Sequence, residues 1–235
     1  MRDEEEEEQQ QKAVLELVFG QSSSEGEGGS DSNSDSDSDV ECECEWEEIE
    51  EVKGLWLCKD FLSPKQQSRL LSAIEDENWF TQPSINQAMR FGHQHLPPWA
   101  IQLSHSIRHS LLRRDDVVFP IHREPLFDQM IANLYQPGEG ISAHVDLLRF
   151  DDGIAIISLE SSCVMHFTPG SGSGSGSVSV PLLLTPGSLL LMSGEARYRW
   201  KHEINRRPGF QLWQGQQLTQ TKRTSITLRK LCPSP

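Results

Sequence analysis

The sequence predicts a mainly β domain, an antiparallel sandwich or jelly roll with helices packed against its outside. Three observations lead there. From residue 130 onward, seven short β-rich runs ("MIANLY", "GIAIISLE", "CVMHF", "VSVPLLL", "SLLLM", "RYRWKHEI" and "RTSITLRKL") are separated by Gly, Pro and Asn. Ahead of them stand two stretches with helical periodicity, and ahead of those a segment whose composition cannot support a core. Many short strands punctuated by turn residues build layered or closed antiparallel folds.

The first segment, residues 1–51, holds 20 Asp and Glu against Arg2 and Lys12, a charge of −18. Stretches such as "SSSEGEGGSDSNSDSDSD" offer too little apolar surface to offset chain entropy, so this segment reads as a disordered acidic tail. Within it, Val14, Leu17 and Val18 fall at helical spacing, either a small partner-docking helix or a transient one. Ser32, Ser34, Ser36 and Ser38 each have an acid three residues on, the pattern an acidophilic kinase favours. Residues 52–235 form the one folded domain, with 15 acids against 19 bases, a charge of +4. A mildly basic domain leaves a phosphate-bearing partner open.

The helices come next. "LSPKQQSRLLSAIEDENW" has Ser63 as N-cap, Pro64 at the first helical position, Gln66 closing a capping box, and Leu70, Leu71 and Ile74 as its apolar stripe. The second runs from Pro98 to Leu112 with Trp99, Leu103, Ile107 and Leu111 on one face. Both are supporting elements. The "GSGSGSGS" repeat at 170–177, between two strands, reads as a flexible hairpin insert. The cysteines at 42, 44, 58, 163 and 232 contain no CxxC pair, so neither a disulfide framework nor a zinc ribbon is expected. That, with no leading apolar run and no stretch long enough to span a bilayer, gives the expectation of a soluble intracellular protein of cytoplasm or nucleus, with no membrane partner.

The chemistry starts from "EGISAHVDLLRF", where His144 and Asp146 stand two apart. On a strand such residues leave one face. Two imidazoles and a carboxylate with open positions form the preferred cage for non-haem Fe(II), so the pair becomes informative if a third ligand reaches it. His105 and His109 lie on the second helix without the Glu of a zinc-protease motif, His93, His95 and His122 sit in loop-like surroundings, and His166 lies in a strand explained by packing. His202, on a late strand, is the best third ligand. Beyond it, Arg223, Ser225, Thr227 and Arg229 alternate with Thr224, Ile226 and Leu228, which puts both arginines on one face. A guanidinium held near iron needs an anion, and a bidentate carboxylate, such as the distal one of 2-oxoglutarate, is its natural partner.

These motifs, "NLYQPGEGISAHVD", a late His in "SGEARYRWKH", and "RTSITLR", resemble those of the AlkB family of Fe(II)/2-oxoglutarate dioxygenases, over about residues 54–232. The resemblance implies a double-stranded β-helix (jelly-roll) core that uses Fe(II), 2-oxoglutarate and O2. It implies His144, Asp146 and His202 as iron ligands, Arg223 on the distal carboxylate of the cosubstrate, Arg229 near the proximal one, and Asn133 and Tyr135 hydrogen-bonding the same molecule. The family pattern R-x-N-x-T-x-R is met at Arg223, Thr227 and Arg229, with Ser225 where Asn is usual. That serine, "SGEARYRW" and "NQAMRFG" resemble the tRNA-modifying branch, whose members hydroxylate a wobble-uridine side chain. The expectation is such a domain without that branch's RNA-recognition and methyltransferase modules. In related proteins the segment matching "NQAMRFG" is a substrate lid, which here would bring Met89, Arg90 and Phe91 over a base, with Arg149 and Phe150 at the pocket rim.

The expected function is hydroxylation or oxidative demethylation of a substrate C–H on a nucleic-acid base, RNA favoured. A protein or small-molecule oxygenase of the same mechanism, or a catalytically silent jelly-roll binding module, stands as the alternative.

Overall fold

The computed structural model describes residues 45–114, 116–170, 179–205, 207 and 209–233. The docking helix at Val14–Val18, the kinase sites at Ser32–Ser38, Cys42, Cys44 and most of the Gly/Ser repeat lie outside the described residues.

Chain order begins with strand β1 (Trp46–Glu48) and strand β2 (Leu55–Cys58), followed by helix α1 (Pro64–Asp76), strand β3 (Gln87–Phe91) and helix α2 (Pro98–Leu112). Then come β4 (Gln129–Tyr135), β5 (Ile141–His144), β6 (Ile154–Leu159), β7 (Cys163–Pro169), β8 (Val180–Leu184), β9 (Leu189–Met192), a short helix α3 (Gly194–Tyr198), β10 (Trp200–Ile204), the small hairpin β11 (Leu212–Trp213) and β12 (Gln216–Gln217), and β13 (Arg223–Arg229). Among the described residues the major sheet has the order β1-β2-β9-β6-β13-β4-β3 and the minor sheet β5-β10-β7-β8, with every pairing antiparallel. The two sheets form a jelly roll, and α1 and α2 cover the outer face of the major one.

The major sheet is therefore buried on both faces, which is why its central strands read as unbroken apolar runs. Along β9, Leu189 and Leu191 join the cluster under the helices, whereas Leu190 and Met192 join the cluster between the sheets. Strand β6 divides in the same way, with Ala155, Ile157 and Leu159 outward and Ile154 and Ile156 inward. On β13, Ile226 and Leu228 go to the helix side. By the strand's period of two, Arg223, Ser225, Thr227 and Arg229 face the space between the sheets.

Helix α1 has the expected cap: the Ser63 hydroxyl accepts from the Gln66 N–H, and the Gln66 side chain accepts from the Ser63 N–H at 2.8 Å. Leu70 and Ile74 are buried, as are Trp99, Leu103, Ile107 and Leu111 of α2. Gly140 leads into β5 because nothing larger fits: a Cβ there would lie 2.0 Å from the Ile204 carbonyl oxygen on β10.

Several expectations are corrected. The ordered domain starts before residue 52, since Trp46 and Ile49 are each 7% exposed and β1 pairs with β2. The segment "NQAMRFG" is an edge strand, hydrogen-bonded to β4 with Gln87 opposite Asn133 and Met89 opposite Ile131. The run "RYRWKHEI" is a strand only from Trp200 onward, its start being the end of α3. Cys58 is disulfide-bonded, a pairing its spacing did not announce, while Cys163 and Cys232 are free. No helix among the described residues is long and apolar enough to cross a membrane.

Candidate metal centre

His144 closes β5 and His202 lies directly across from it on β10. Their rings stand 4.3 Å apart between centroids. Asp146 follows two residues later, and its Oδ2 lies 3.6 Å from Nε2 of His202. The ligand atoms that His144, Asp146 and His202 offer all fall within 4.8 Å of one another, and among the described residues no other His, Cys, Asp or Glu group is so gathered. Nδ1 of His144 is 2.8 Å from the Ser142 carbonyl, so that nitrogen carries the proton and donates it, leaving the Nε2 lone pair for a metal. Asp146 lies beyond the end of β5 rather than within the strand, so the pleat accounts for His144 alone.

Burial above all, and the nearby His144, push the His202 pKa down to about 4. The imidazole is thus neutral and ready to ligate at neutral pH. Burial works to raise the Asp146 pKa, but the neighbouring His202 and the hydrogen-bonded Arg229 guanidinium outweigh that and hold the carboxyl below the usual range. Arg229 Nη1 donates to Asp146 Oδ1 at 2.5 Å while its Nε donates to Gln129 Oε1 at 2.6 Å, and the guanidinium lies 4.0 Å above the Phe150 ring. The ionised carboxylate is therefore paired, as a buried charge must be.

Arg223 is 4% exposed. Its Nε donates to the Ser158 hydroxyl at 3.0 Å, yet Nη1 and Nη2 are buried with no hydrogen-bond partner. Such groups are rare, and a guanidinium with two aligned free N–H donors is shaped for a carboxylate. Tyr135 lies beside it, ring centroid 5.3 Å from the guanidinium carbon, with Cys163 and Thr221 around the same cavity. Burial raises the Tyr135 pKa, so the phenol stays protonated and is a donor. Ser225 and Thr227 are buried on the same strand face as Arg223. Asn133 stands across from Ser225 and accepts from Gln87 Nε2 at 2.7 Å, at one wall of a cavity of about 200 Å³. The donor set and the orphaned guanidinium fit an oxygen-activating iron with a dicarboxylic acid beside it.

The structure gathers the rim residues unevenly. Met89 and Phe91 alternate onto the face of Ile131 and Gln129, are 41% and 39% exposed, and Arg149 lies 5.5 Å over the Phe91 ring. Arg90 points to the other side, 4.5 Å over Trp79 on the helix layer. Phe150 is 1% exposed and so lies beneath Arg229, not at a rim. Sequence reasoning missed Ser158 and Gln129, which orient the two arginines. The available signal was a buried polar residue on the inward side of each strand, Ser158 in "IAIISLE" and Gln129 before "MIANLY". His166 is tied to Ser179 and to the Phe210 carbonyl, away from the metal ligands.

Residues 90–229 match the family described as the 2OG-Fe(II) oxygenase superfamily. The chain is 32% identical over 218 residues to the tRNA (carboxymethyluridine(34)-5-O)-methyltransferase alkbh8 of Xenopus tropicalis, an alignment covering 77% of this chain and 32% of that protein. It is 28% identical over 216 residues to the alkylated DNA repair protein ALKBH8 homolog of Arabidopsis thaliana, covering 78% of this chain and 60% of the relative. The chain thus spans less than two thirds of each of these relatives. The solved structure of OsALKBH1 has the same fold, with a TM-score of 0.51 at 15% identity over 75% of this chain and 98% of that one.

Proposed function

The chain belongs to the 2OG-Fe(II) oxygenase superfamily and is AlkB-like, and on that premise we propose that it oxidises a C–H bond on a nucleic-acid base, with RNA the favoured substrate. The observation that carries the reading is the pairing of a His-Asp-His ligand set with a buried arginine whose two terminal nitrogens have no partner. With iron, 2-oxoglutarate and O2 bound, the centre supplies oxidising power: one oxygen atom enters the substrate C–H as a hydroxyl, and the other enters succinate as 2-oxoglutarate loses CO2.

The chain's own residues have separable tasks. His144, Asp146 and His202 hold the metal, Arg229 keeps Asp146 ionised and aimed, and Gln129 keeps Arg229 in place. Arg223 takes the distal carboxylate of 2-oxoglutarate, oriented by Ser158. Tyr135, Asn133, Ser225 and Thr227 line its berth. Met89, Phe91 and Arg149 form an open apolar and cationic rim on which an unstacked base rests. Arg90, on the helix side, stiffens the edge strand from behind. The relatives named for tRNA and DNA substrates, together with the +4 surplus of residues 52–235, support a polyanionic substrate encountered in cytoplasm or nucleus. Hydroxylation is the end point where the carbon is not attached to nitrogen. On an N-methyl group the hydroxymethyl product sheds formaldehyde, and the outcome is demethylation.

The test is mass spectrometry of total RNA nucleosides before and after incubation with the protein, Fe(II) and 2-oxoglutarate in air. One nucleoside gaining an oxygen atom or losing a methyl group, in step with succinate, is the expected result. Succinate formation stimulated by peptides or small metabolites but not by RNA contradicts it.

A further inference from the structure

Asp146 is a proposed metal ligand that no strand positions: β5 ends at His144, and residues 145–149 belong to no regular element. What shapes this turn is a side chain from elsewhere. Arg197, on α3, donates from Nη1 to the Asp146 carbonyl at 3.0 Å and from Nη2 to the Leu147 and Phe150 carbonyls at 2.8 and 2.9 Å. The Leu147 carbonyl also accepts the Phe150 N–H at 3.1 Å, which closes the turn on itself. Arg197 is 1% exposed, has no carboxylate partner among the described residues, and leaves Nε unpaired.

A buried cation whose N–H donors meet only main-chain carbonyls, with the Tyr198 ring 4.7 Å from its guanidinium carbon, is an expensive way to fill space, and an apolar side chain of similar volume does so at less cost. What the guanidinium alone offers is a rigid fork that meets three carbonyls of one turn at once. Without it the Asp146 and Phe150 carbonyls would lose this donor, and the Leu147 carbonyl would keep only the Phe150 N–H. The segment from Ala196, which is fully buried, to His202 therefore governs two of the ligands: it carries one and fixes the backbone of another. The far side of the same turn displays Leu147 and Leu148, 61% and 76% exposed, beside the rim formed by Arg149 and Phe91.

We infer that Arg197 is a positioning residue for the metal centre, holding the Asp146–Phe150 turn in its ligating shape before the metal arrives and presenting Leu147 and Leu148 outward. The inference rests on the reading of His144, Asp146 and His202 as the ligands. It assigns to Arg197 a task that a packing residue does not have. The turn is built in advance, so the carboxylate pays no ordering entropy at the moment of binding.

Cobalt(II) serves as the probe, titrated into the metal-free protein well below its melting temperature and followed by visible absorption. Arg197→Lys keeps the charge but cannot span three carbonyls, so it weakens cobalt binding by roughly 10–100-fold, the range seen when a partner behind a ligand is removed, and alters the cobalt spectrum. A residue that merely supported the fold would lower Tm while leaving affinity and spectrum as in the wild type, and that result overturns the inference. Wild-type protein that fails to bind cobalt, or His202→Ala protein that binds it equally well, overturns the ligand reading instead. Hydrogen exchange on the unaltered protein decides the matter even if the variant does not fold. The Phe150 amide is protected without metal and changes little with it; exchange at the rate of an open chain until cobalt is added contradicts a turn that Arg197 has already set.

Discussion

Arg223 donates its Nε–H to the Ser158 hydroxyl at 3.0 Å and leaves both terminal nitrogens buried and unpartnered. A group in that condition destabilises the protein that carries it until an anion arrives. Arg223→Met is therefore expected to leave the Tm of the cosubstrate-free protein unchanged or raised. The same substitution removes half or more of the stabilisation that 2-oxoglutarate gives the metal-loaded wild type, which amounts to about 2.7 kcal/mol at a hundredfold excess over Kd. Thermal melts with and without cosubstrate measure both effects. A marked drop in Tm without cosubstrate means that the terminal nitrogens already have an internal partner.

The pair Asp146–Arg229 predicts the opposite behaviour. Here both charges are buried and joined at 2.5 Å. Asp146→Ala strands the Arg229 charge and costs about 3–5 kcal/mol in urea unfolding of the metal-free protein. Adding Arg229→Met recovers a large part of that loss, because the orphaned charge goes with it. Additive losses in the double-mutant cycle sink the coupling.

His202 sets the pH dependence of the metal-free protein. Its folded pKa of about 4 lies below the ordinary value of 6.5. As pH falls, the unfolded chain takes up the proton first, so stability is full above 6.5 and declines until about 4. The gap corresponds to a loss on the order of 3 kcal/mol. Asp146, held below the usual carboxylate range, adds its own loss only at still lower pH. Urea unfolding in chelator across this window shows the slope, and His202→Asn flattens it. A wild-type profile that is already flat contradicts a buried neutral imidazole.

The exposed face of Phe91, stacked against Arg149, predicts a separation of binding from chemistry at the metal. Phe91→Ala weakens single-stranded RNA binding by about 1–3 kcal/mol, the worth of one stacked base. Succinate formation in the absence of substrate stays as in the wild type. Filter binding at low and high salt, beside a succinate assay, measures the two. Unchanged RNA affinity places the substrate elsewhere on the molecule.

How much of this was legible in the sequence depends on what each residue does. Strands β6 and β9 were visible because burial on both faces writes itself as a nearly continuous apolar run, and β13 because it alternates and is rich in β-branched residues. His144, His202 and the two arginines of β13 were visible because iron and dicarboxylate chemistry demands those residue types. Strand β1 was hidden because Trp46 and Ile49 sit inside an acidic run whose composition argues for disorder. Strand β3 is hard to read as a strand because a short, half-exposed edge segment carries no strict alternation of apolar and polar residues. Ser158 and Arg197 could not be assigned from one chain, since each acts through a side chain or a carbonyl brought close only by folding, across 65 residues for the Ser158–Arg223 bond. Asp146 was legible as a ligand from its spacing to His144 and from the resemblance, but the turn that places it was not.

The central claim is that one pocket holds both the metal ligands and the dicarboxylate anchor. Anaerobic calorimetric titration of the Fe(II)-loaded protein with 2-oxoglutarate tests it most directly, on the wild type, His202→Ala and Arg223→Met. The account predicts one molecule bound per wild-type chain, and affinity weakened at least roughly tenfold when either end is removed, since each lost charged contact is worth about 1.5–3 kcal/mol. Equal affinity in all three proteins would show that the two ends do not share a ligand.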